Sequence, residues 1–261
     1  MSDLLLIEIE GAIATLTLNR PAERNAISDA LREELRSTLD EVSLTPDVRV
    51  VILTGAGKSF CAGGDVKGMQ RRLSESAGQV AIEGWRRQQR IGTLAATLHS
   101  LDQVTIAAVN GHAVGLGLTL ALACDFIVAA PQAKFAASFI NRALVPDGGA
   151  MYYLPRRVGH QRTKDLIFSG RFVDAEEALA IGLADVLAGE GTLLEDARAY
   201  AERFTSQARG AIMLMKSIVN RSFELSLESI SALESEAQAI SYISDDHRAS
   251  VEAFFATRQS T

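Results

Sequence analysis

The chain has 261 residues, 48% hydrophobic and 22% charged, a balance that excludes a disordered chain and supplies one full core with an appendage. Its formal net charge of −6 argues against nucleic acid and anionic membrane as partners, so an anionic ligand has to be held by local groups. No apolar run reaches the roughly 18 residues of a membrane span, the start Met1-Ser2-Asp3-Leu4 lacks the marks of a secretory signal, and Cys61 and Cys124 make no disulfide framework, so a soluble cytoplasmic protein is expected.

Leu4 to Glu10 and Ile13 to Leu18 read as strands around a Glu10-Gly11 turn, the second with Ala14, Leu16 and Leu18 alternating with Thr15 and Thr17. Leu31, Leu35, Leu39 and Val42 lie on one helical face behind a Ser28-Asp29 cap. The apolar run Val48 to Thr54 predicts a strand buried on both faces. A glycine-rich loop follows it, then a long helical stretch, Gln79 to Leu101, interrupted by Gly84 and Gly92. Val104 to Val109 repeats the pattern: a buried strand, a glycine-rich loop over Asn110 to Gly117, and an apolar helix over Leu118 to Cys124. Strand, glycine loop and helix repeated in this way predict an α/β core. Asp125 to Ala130 and Lys134 to Ala136 are expected to be short strands. Asp174-x-x-Glu177 predicts a capping box opening a helix that stops at Gly182. From Gly191 onward the pattern is helical, with Leu227, Ile230, Leu233, Ala237 and Ile240 in one stripe. The expected division is therefore a core over 1–190 and a helical region over 191–261.

Several motifs fail on inspection. Gly57-Lys58-Ser59 follows a buried strand, but Ile52 stands where a P-loop needs its first glycine. Gly115-Leu116-Gly117 lacks the third glycine of a dinucleotide fingerprint, because Leu120 occupies that place. His99, His112, His160 and His247 have no metal-ligand spacing, and there is no Gly-x-Ser-x-Gly elbow. No metal or cofactor is expected. Arg71-Arg72, Arg86-Arg87 and Arg156-Arg157 read as solvated helix faces. Trp85, Met69, Met151, Tyr152 and Tyr153 read as core packing before pocket lining.

Two loops remain, Phe60-Cys61-Ala62-Gly63-Gly64-Asp65 and Asn110 through Gly117, each between a buried strand and a helix. Glycines let backbone N–H groups approach a ligand closely, and a helix N-terminus adds positive potential. Two such loops side by side can bind a developing oxyanion.

With these loops, the segments Leu18-Asn19-Arg20-Pro21…Arg24-Asn25-Ala26, Val109-Asn110-Gly111 through Cys124-Asp125, Leu154-Pro155-Arg156-Arg157-Val158-Gly159, Glu176-Glu177-Ala178…Gly182-Leu183 and Phe254…Arg258 resemble the crotonase superfamily, the enoyl-CoA hydratase/isomerase family, over essentially the whole chain. The resemblance implies a spiral of repeated ββα units with a C-terminal helical trimerisation region, assembled as a homotrimer or dimer of trimers. It implies an acyl-CoA thioester substrate, the coenzyme A being part of the substrate. It also implies an oxyanion hole from the N–H groups of Gly64 and Leu116. A CoA site would be lined by Arg24, Ala26, Ala62, Asp65 and Val66, with Arg24 as a phosphate partner and Phe254 and Arg258 near a neighbouring CoA site.

The sequence departs from the family's hydratases, which hold water with two glutamates. At the matching positions stand Thr119 and Phe139. Asp147 matches the catalytic aspartate of the dienoyl-CoA isomerase branch and of the ring-opening epoxyphenylacetyl-CoA isomerases. A single carboxylate can take a proton from one carbon and return it to another. The alternative for Asp147 is a helix N-cap. Asp65 reads as a helix cap, and Cys61 and Cys124 as small core residues. An enoyl-CoA isomerase using Asp147 is therefore expected. Hydration or another CoA-thioester reaction on the same scaffold, and a CoA-thioester-binding protein with little turnover, stay open beside it.

Overall fold

The computed structural model describes residues 4–65, 70 and 74–259, with side chains described through 256. It divides into two compact units, 1–202 and 203–261. The boundary falls inside a helix, 12 residues beyond the one read from the sequence.

The first unit is built on a six-stranded sheet in the order β1-β2-β3-β4-β6-β9. Its strands are β1 (Leu5–Glu10), β2 (Ile13–Leu18), β3 (Val50–Gly55), β4 (Val104–Val109), β6 (Phe126–Ala129) and β9 (Val186–Leu187). Only β1 runs antiparallel to its neighbour, as the hairpin turn at Gly11 requires. Both β3 and β4 are buried at every position, as parallel strands covered on both faces must be. The alternation in β2 understates its burial, because Thr15 is also enclosed between neighbouring layers, at 3% exposure.

A second sheet, in the order β5-β7-β8, consists of β5 (His112–Val114), β7 (Lys134–Ala136) and β8 (Val173–Asp174). In the sequence β5 reads as loop, because three residues carry no period and their pairing with β7 is entirely tertiary.

Helix α1 (Asp29–Ser43) opens on Ser28, whose hydroxyl accepts from the Leu31 N–H, and it buries the predicted face Leu31, Leu35, Leu39 and Val42. Helix α2 (Ala77–His99) begins with a capping box between Ser76 and Gln79 that the sequence reading missed, and it buries Ile91, Leu94, Ala95 and Leu98. Helix α3 (Leu116–Ala123) starts earlier than expected and is enclosed along its whole length, which suits a helix apolar all round. Helix α4 (Ala150–Ser169) breaks at Gly159, at φ 78°. Helix α5 (Ala175–Ala180) has the expected cap, Asp174 accepting from the Glu177 N–H at 2.9 Å. The return arm of the box is not made, because the Glu177 carboxylate pairs with Arg171 at 2.7 Å instead.

Two of the basic pairs are more than solvated faces. Arg157 is largely enclosed and ties α4 to the sheet through Asp185 at 3.0 Å and the carbonyls of Cys124 and Asp125. Arg87 is half-buried and acts on Asp147. Arg71-Arg72, like Val66 and Met69, lies outside the described residues. Trp85 and Met151 are 65% and 55% exposed and are not core.

Beyond α6 (Leu193–Thr205) the second unit contains α7 (Arg209–Val219), α8 (Leu227–Tyr242) and α9 (Asp245–Gln259). Neither α7 nor α8 contains a buried residue. The ends of the apolar stripe on α8 are open, with Leu227 82% and Ile240 55% exposed, while Ile230, Leu233 and Ala237 between them are half-buried.

Candidate active site

The site is built from the two loops that follow β3 and β4. The first is held by the segment before α1. Arg24 and Asn25 adopt left-handed backbone, at φ 51° and 57°, which reverses the chain. The Asn25 side chain is fully buried there: its amide donates to the carbonyls of Ala56 and Ser59 at 2.9 and 2.7 Å, and its Oδ1 accepts from the Arg20 N–H at 2.9 Å. The Arg24 carbonyl accepts from the Ala62 N–H at 2.9 Å, the Ile27 N–H donates to the Gly63 carbonyl at 2.8 Å, and the Asp65 N–H donates to the Ile27 carbonyl at 3.3 Å.

The other side of the first loop is pinned to β5. The Cys61 N–H donates to the His112 carbonyl and the Val114 N–H to the Cys61 carbonyl, both at 2.9 Å. The two loops therefore touch backbone to backbone, and their glycines make that approach possible. A Cβ on Gly117 would lie 2.1 Å from the Cys61 carbonyl oxygen. One on Gly63, at φ 94°, would lie 2.8 Å from the Val114 carbonyl oxygen and 3.4 Å from the Leu116 nitrogen. The glycines expected to admit a ligand serve first to bring one loop onto the other.

This bonding leaves two donors over. In the parallel bridge between Ile27 and Gly64 the bonds run through the Gly63 carbonyl and the Asp65 N–H, so the N–H of Gly64 is not used. Leu116 is the first residue of α3, where an N–H has no intrahelical acceptor. Neither group donates to a protein acceptor among the described residues. Gly63, adjacent to Gly64 and close to the Leu116 nitrogen, brings the two donors together. The Leu116 donor also stands at the positive end of a helix. Two free N–H groups in this setting can accept a developing negative charge on a carbonyl oxygen.

The carboxylate half of the site lies between a 3-10 turn (Ser138–Arg142) and α4. Asp147 is not the N-cap of α4. That place belongs to Gly149 at φ 96°, with no side-chain cap bond, and a Tyr153 ring atom would lie 2.7 Å from a Cβ there. The backbone of Asp147 is tied to α3 instead. Its carbonyl accepts from the Thr119 hydroxyl at 3.1 Å, and Gly148 packs against Leu116, Thr119 and Ile91. The Asp147–Gly148 backbone thus stands beside the first turn of the helix that carries the Leu116 donor. Its Oδ1 is buried with no hydrogen-bond partner. Burial raises its pKa above the ordinary aspartate range, opposed by a hydrogen bond from Gln88 and the charge of Arg87. A half-desolvated carboxylate with one bare oxygen is a proton acceptor.

The hydratase positions hold no acid. Thr119 is fully buried, and its hydroxyl is used by the carbonyls of Gly115 and Asp147. Phe139 lies with its ring 3.8 Å from where a Cβ of Gly115 would stand, against the second loop. Cys61 is fully buried, and burial pushes its thiol up to about 12, which removes it as a nucleophile.

The remaining expected site residues separate into three groups. Ala62, Gly64 and Asp65 are half-buried in the first loop, with Ala26 beside them and the Arg24 side chain exposed. Asp65 forms an ion pair with Arg20 at 3.2 Å, an arrangement its reading as a helix cap did not include. Phe254 belongs to the second unit, half-exposed against Phe255, while Val66 and the Arg258 side chain lie outside the described residues. Sequence reasoning gave no role to Asn25, Arg20 and Gln88. The first two sit in the Arg20…Asn25 motif, which was a signal, whereas Gln88 has none beyond standing three residues before Ile91.

The enoyl-CoA hydratase/isomerase family model matches residues 8–261. A 1,2-epoxyphenylacetyl-CoA isomerase of Escherichia coli K12 is 33% identical over 258 residues, covering 99% of this chain and 97% of that protein. A short-chain-enoyl-CoA hydratase of Clostridium acetobutylicum is 32% identical over 256 residues, covering 98% and 95%. Among solved structures, an enoyl-CoA hydratase from Bacillus anthracis superposes with a TM-score of 0.90 at 33% identity, covering 97% of this chain and 96% of that one. With its glycine loops, paired backbone donors and parallel core in place, the chain belongs to the enoyl-CoA hydratase/isomerase family and has the fold of the crotonase superfamily.

Proposed function

We propose that this enzyme is an enoyl-CoA isomerase, moving a carbon–carbon double bond by way of a thioester enolate. The single observation that carries the reading is Asp147: a carboxylate with one buried, unpartnered oxygen, on the segment beside the helix whose first N–H is free. In this reading the thioester oxygen sits between the N–H groups of Gly64 and Leu116. Asp147 takes a proton from one carbon as the oxyanion forms, then returns it to the carbon two atoms away. Proton and electron pair are conserved, and no water or added cofactor enters. Thr119 and Phe139 support the absence of a water step, since neither has a carboxylate to activate one. The name of the Escherichia coli relative supports an isomerase, and that of the clostridial relative supports a hydratase.

The CoA portion would lie along Arg24, Ala26, Ala62 and Asp65, with the exposed Arg24 guanidinium on a phosphate. The two cysteines are buried and not joined in a disulfide, in keeping with a reducing cytoplasm. The open ends of the apolar stripe on α8, together with Phe223 78% and Ile243 82% exposed, favour assembly into a homotrimer or a dimer of trimers, and a monomer in sedimentation at micromolar concentration contradicts that part. Assays with a 3-enoyl-CoA and with crotonyl-CoA test the reaction. Turnover of the 3-enoyl-CoA alone is expected. Hydration of crotonyl-CoA alone assigns a hydratase, and binding of both without turnover assigns a CoA-thioester-binding protein.

A further inference from the structure

One face of α2 carries Glu83, Arg87 and Arg90 at spacings of four and three, with Arg86 beside them one turn before Arg90. These four residues and Asp29, the first residue of α1, line a pocket of about 210 Å³. A water takes up about 30 Å³, so the pocket admits a group of several heavy atoms. Its charge is unbalanced. Asp29 is engaged by Arg32 at 2.5 Å, which leaves Glu83 as the one acid of the pocket not already paired among the described residues. Neither Arg86 nor Arg90 has a hydrogen bond or ion pair with a described residue. Both are exposed, while Arg87 is half-buried. Like charges three and four residues apart destabilise a helix, so a bound anion would stabilise this face.

The pocket adjoins both halves of the site. Asp29 lies two residues after Ile27, which bridges to Gly64 in the first loop. Arg87 lies one turn before Ile91, which is 6% exposed and whose Cγ2 lies 3.2 Å from the place of a Cβ on Gly148. One turn of helix rises about 5.4 Å, the length of a few carbon–carbon bonds. A chain that passes the Asp147–Gly148 segment along α2 therefore reaches the arginines within a short acyl group. Arg24, assigned above to a CoA phosphate, is not among the walls.

Resting on the acyl-CoA reading above, we infer that this pocket binds a second negative group of the substrate, a carboxylate at the far end of a short acyl chain. The substrates are then CoA monothioesters of dicarboxylic acids. A guanidinium holds a carboxylate through two parallel N–H donors. With the protein's net charge at −6, such a group depends on local arginines rather than on the whole-protein field.

The test is calorimetric binding of saturated thioesters in pairs of equal chain length, glutaryl-CoA with pentanoyl-CoA and adipoyl-CoA with hexanoyl-CoA, so that no turnover intervenes. At one length or both, the carboxylate is expected to tighten binding about tenfold or more, and this advantage is expected to shrink as salt is raised. In Arg86→Met/Arg90→Met, which changes two exposed side chains, the advantage is expected to fall to about twofold or less, while pentanoyl-CoA and hexanoyl-CoA bind as they do to the wild type. Equal binding within both pairs overturns the inference and returns the arginines to a solvated face. An advantage that survives both this variant and Arg87→Met puts the carboxylate elsewhere and overturns it too. A loss of affinity shared by the charged and uncharged thioesters assigns the arginines to a CoA phosphate, which is a third way for the inference to fail. If no thioester binds at all, the acyl-CoA reading falls and takes this inference with it, whereas uncharged thioesters that bind with no advantage for the carboxylate sink the inference alone.

Discussion

The two halves of the site are made of different material. The proposed oxyanion half is backbone: the N–H groups of Gly64 and Leu116, set by loops that hydrogen-bond each other and by glycines too close to neighbouring carbonyls to bear a Cβ. The carboxylate half is side chain: Thr119, Phe139 and Asp147 on α3, the 3-10 turn and the loop before α4. A backbone donor does not depend on the residue that carries it, so Leu116 serves in the middle of Gly115-Leu116-Gly117. A side-chain acid is lost with one substitution. In the proposed reaction the first half would fix what kind of intermediate is stabilised, and the second would fix where its proton goes.

Substitutions in each half sharpen this contrast. The largest effect is expected from Gly64→Pro, which removes one oxyanion donor. The bridge to Ile27 does not use the Gly64 N–H, so the loop has no bond to lose. Losing such a donor costs about 2.7–4 kcal/mol of transition-state stabilisation, and the ring fills the hole as well. Turnover below detection with a native circular dichroism spectrum is the expected result, and full activity in a folded variant removes Gly64 from the oxyanion hole.

Asp147→Asn comes next. Isomerisation should fall by roughly two to four orders of magnitude, with acyl-CoA affinity nearly unchanged. Its stability effect has a definite sign. The folded-state pKa of Asp147 is raised by burial, so the wild type incurs the cost of a buried charge above that pKa and none below the unfolded value. Asp147→Asn should therefore melt above the wild type at neutral pH, with the difference shrinking as pH falls into the ordinary carboxylate range. A pH-independent difference contradicts the assigned burial.

Gly117→Ala tests the packing of the loops. A methyl 2.1 Å from the Cys61 carbonyl oxygen forces the loops apart, and a loss of about 3 kcal/mol is expected in chemical denaturation, with turnover falling alongside. A stable, active Gly117→Ala enzyme is incompatible with the close backbone contact. The smallest effect belongs to Thr119→Val. The two carbonyls that its hydroxyl serves keep backbone donors, Gly115 from the Thr119 N–H and Asp147 from the Ala150 N–H. The expected cost is about 0.5–1 kcal/mol. A loss much larger than that means the hydroxyl has another task, such as a part in the chemistry.

Much of this was legible in the residues. The apolar runs Val48 to Thr54 and Val104 to Val109 marked the strands Val50–Gly55 and Val104–Val109, because a strand covered on both faces has few polar positions. The Leu31, Leu35, Leu39, Val42 face fixed α1, because a helical period survives any tertiary context that buries one side. The two glycine loops and their order pointed to the pair of backbone N–H groups that the structure leaves unpaired, and the absence of a carboxylate at Thr119 and Phe139 could be read directly from the residues. Other features were not legible. The strand β5 has three residues, and its bonds go to β7, more than twenty residues away. Arg157 and Arg87 read as surface charge, because no local pattern separates an arginine facing water from one reaching a carbonyl or a carboxylate across the fold.

The sequence by itself determined the elements, the glycines and the identity of each side chain at the site, since these follow from local period, local sterics and side-chain chemistry. Only the tertiary structure decided which N–H groups stay unpaired, that Asp147 is no helix cap, and that its Oδ1 is buried without a hydrogen-bond partner. Each of these depends on which distant backbone or side chain occupies a neighbouring position, and that is set by packing across the fold rather than by separation along the chain.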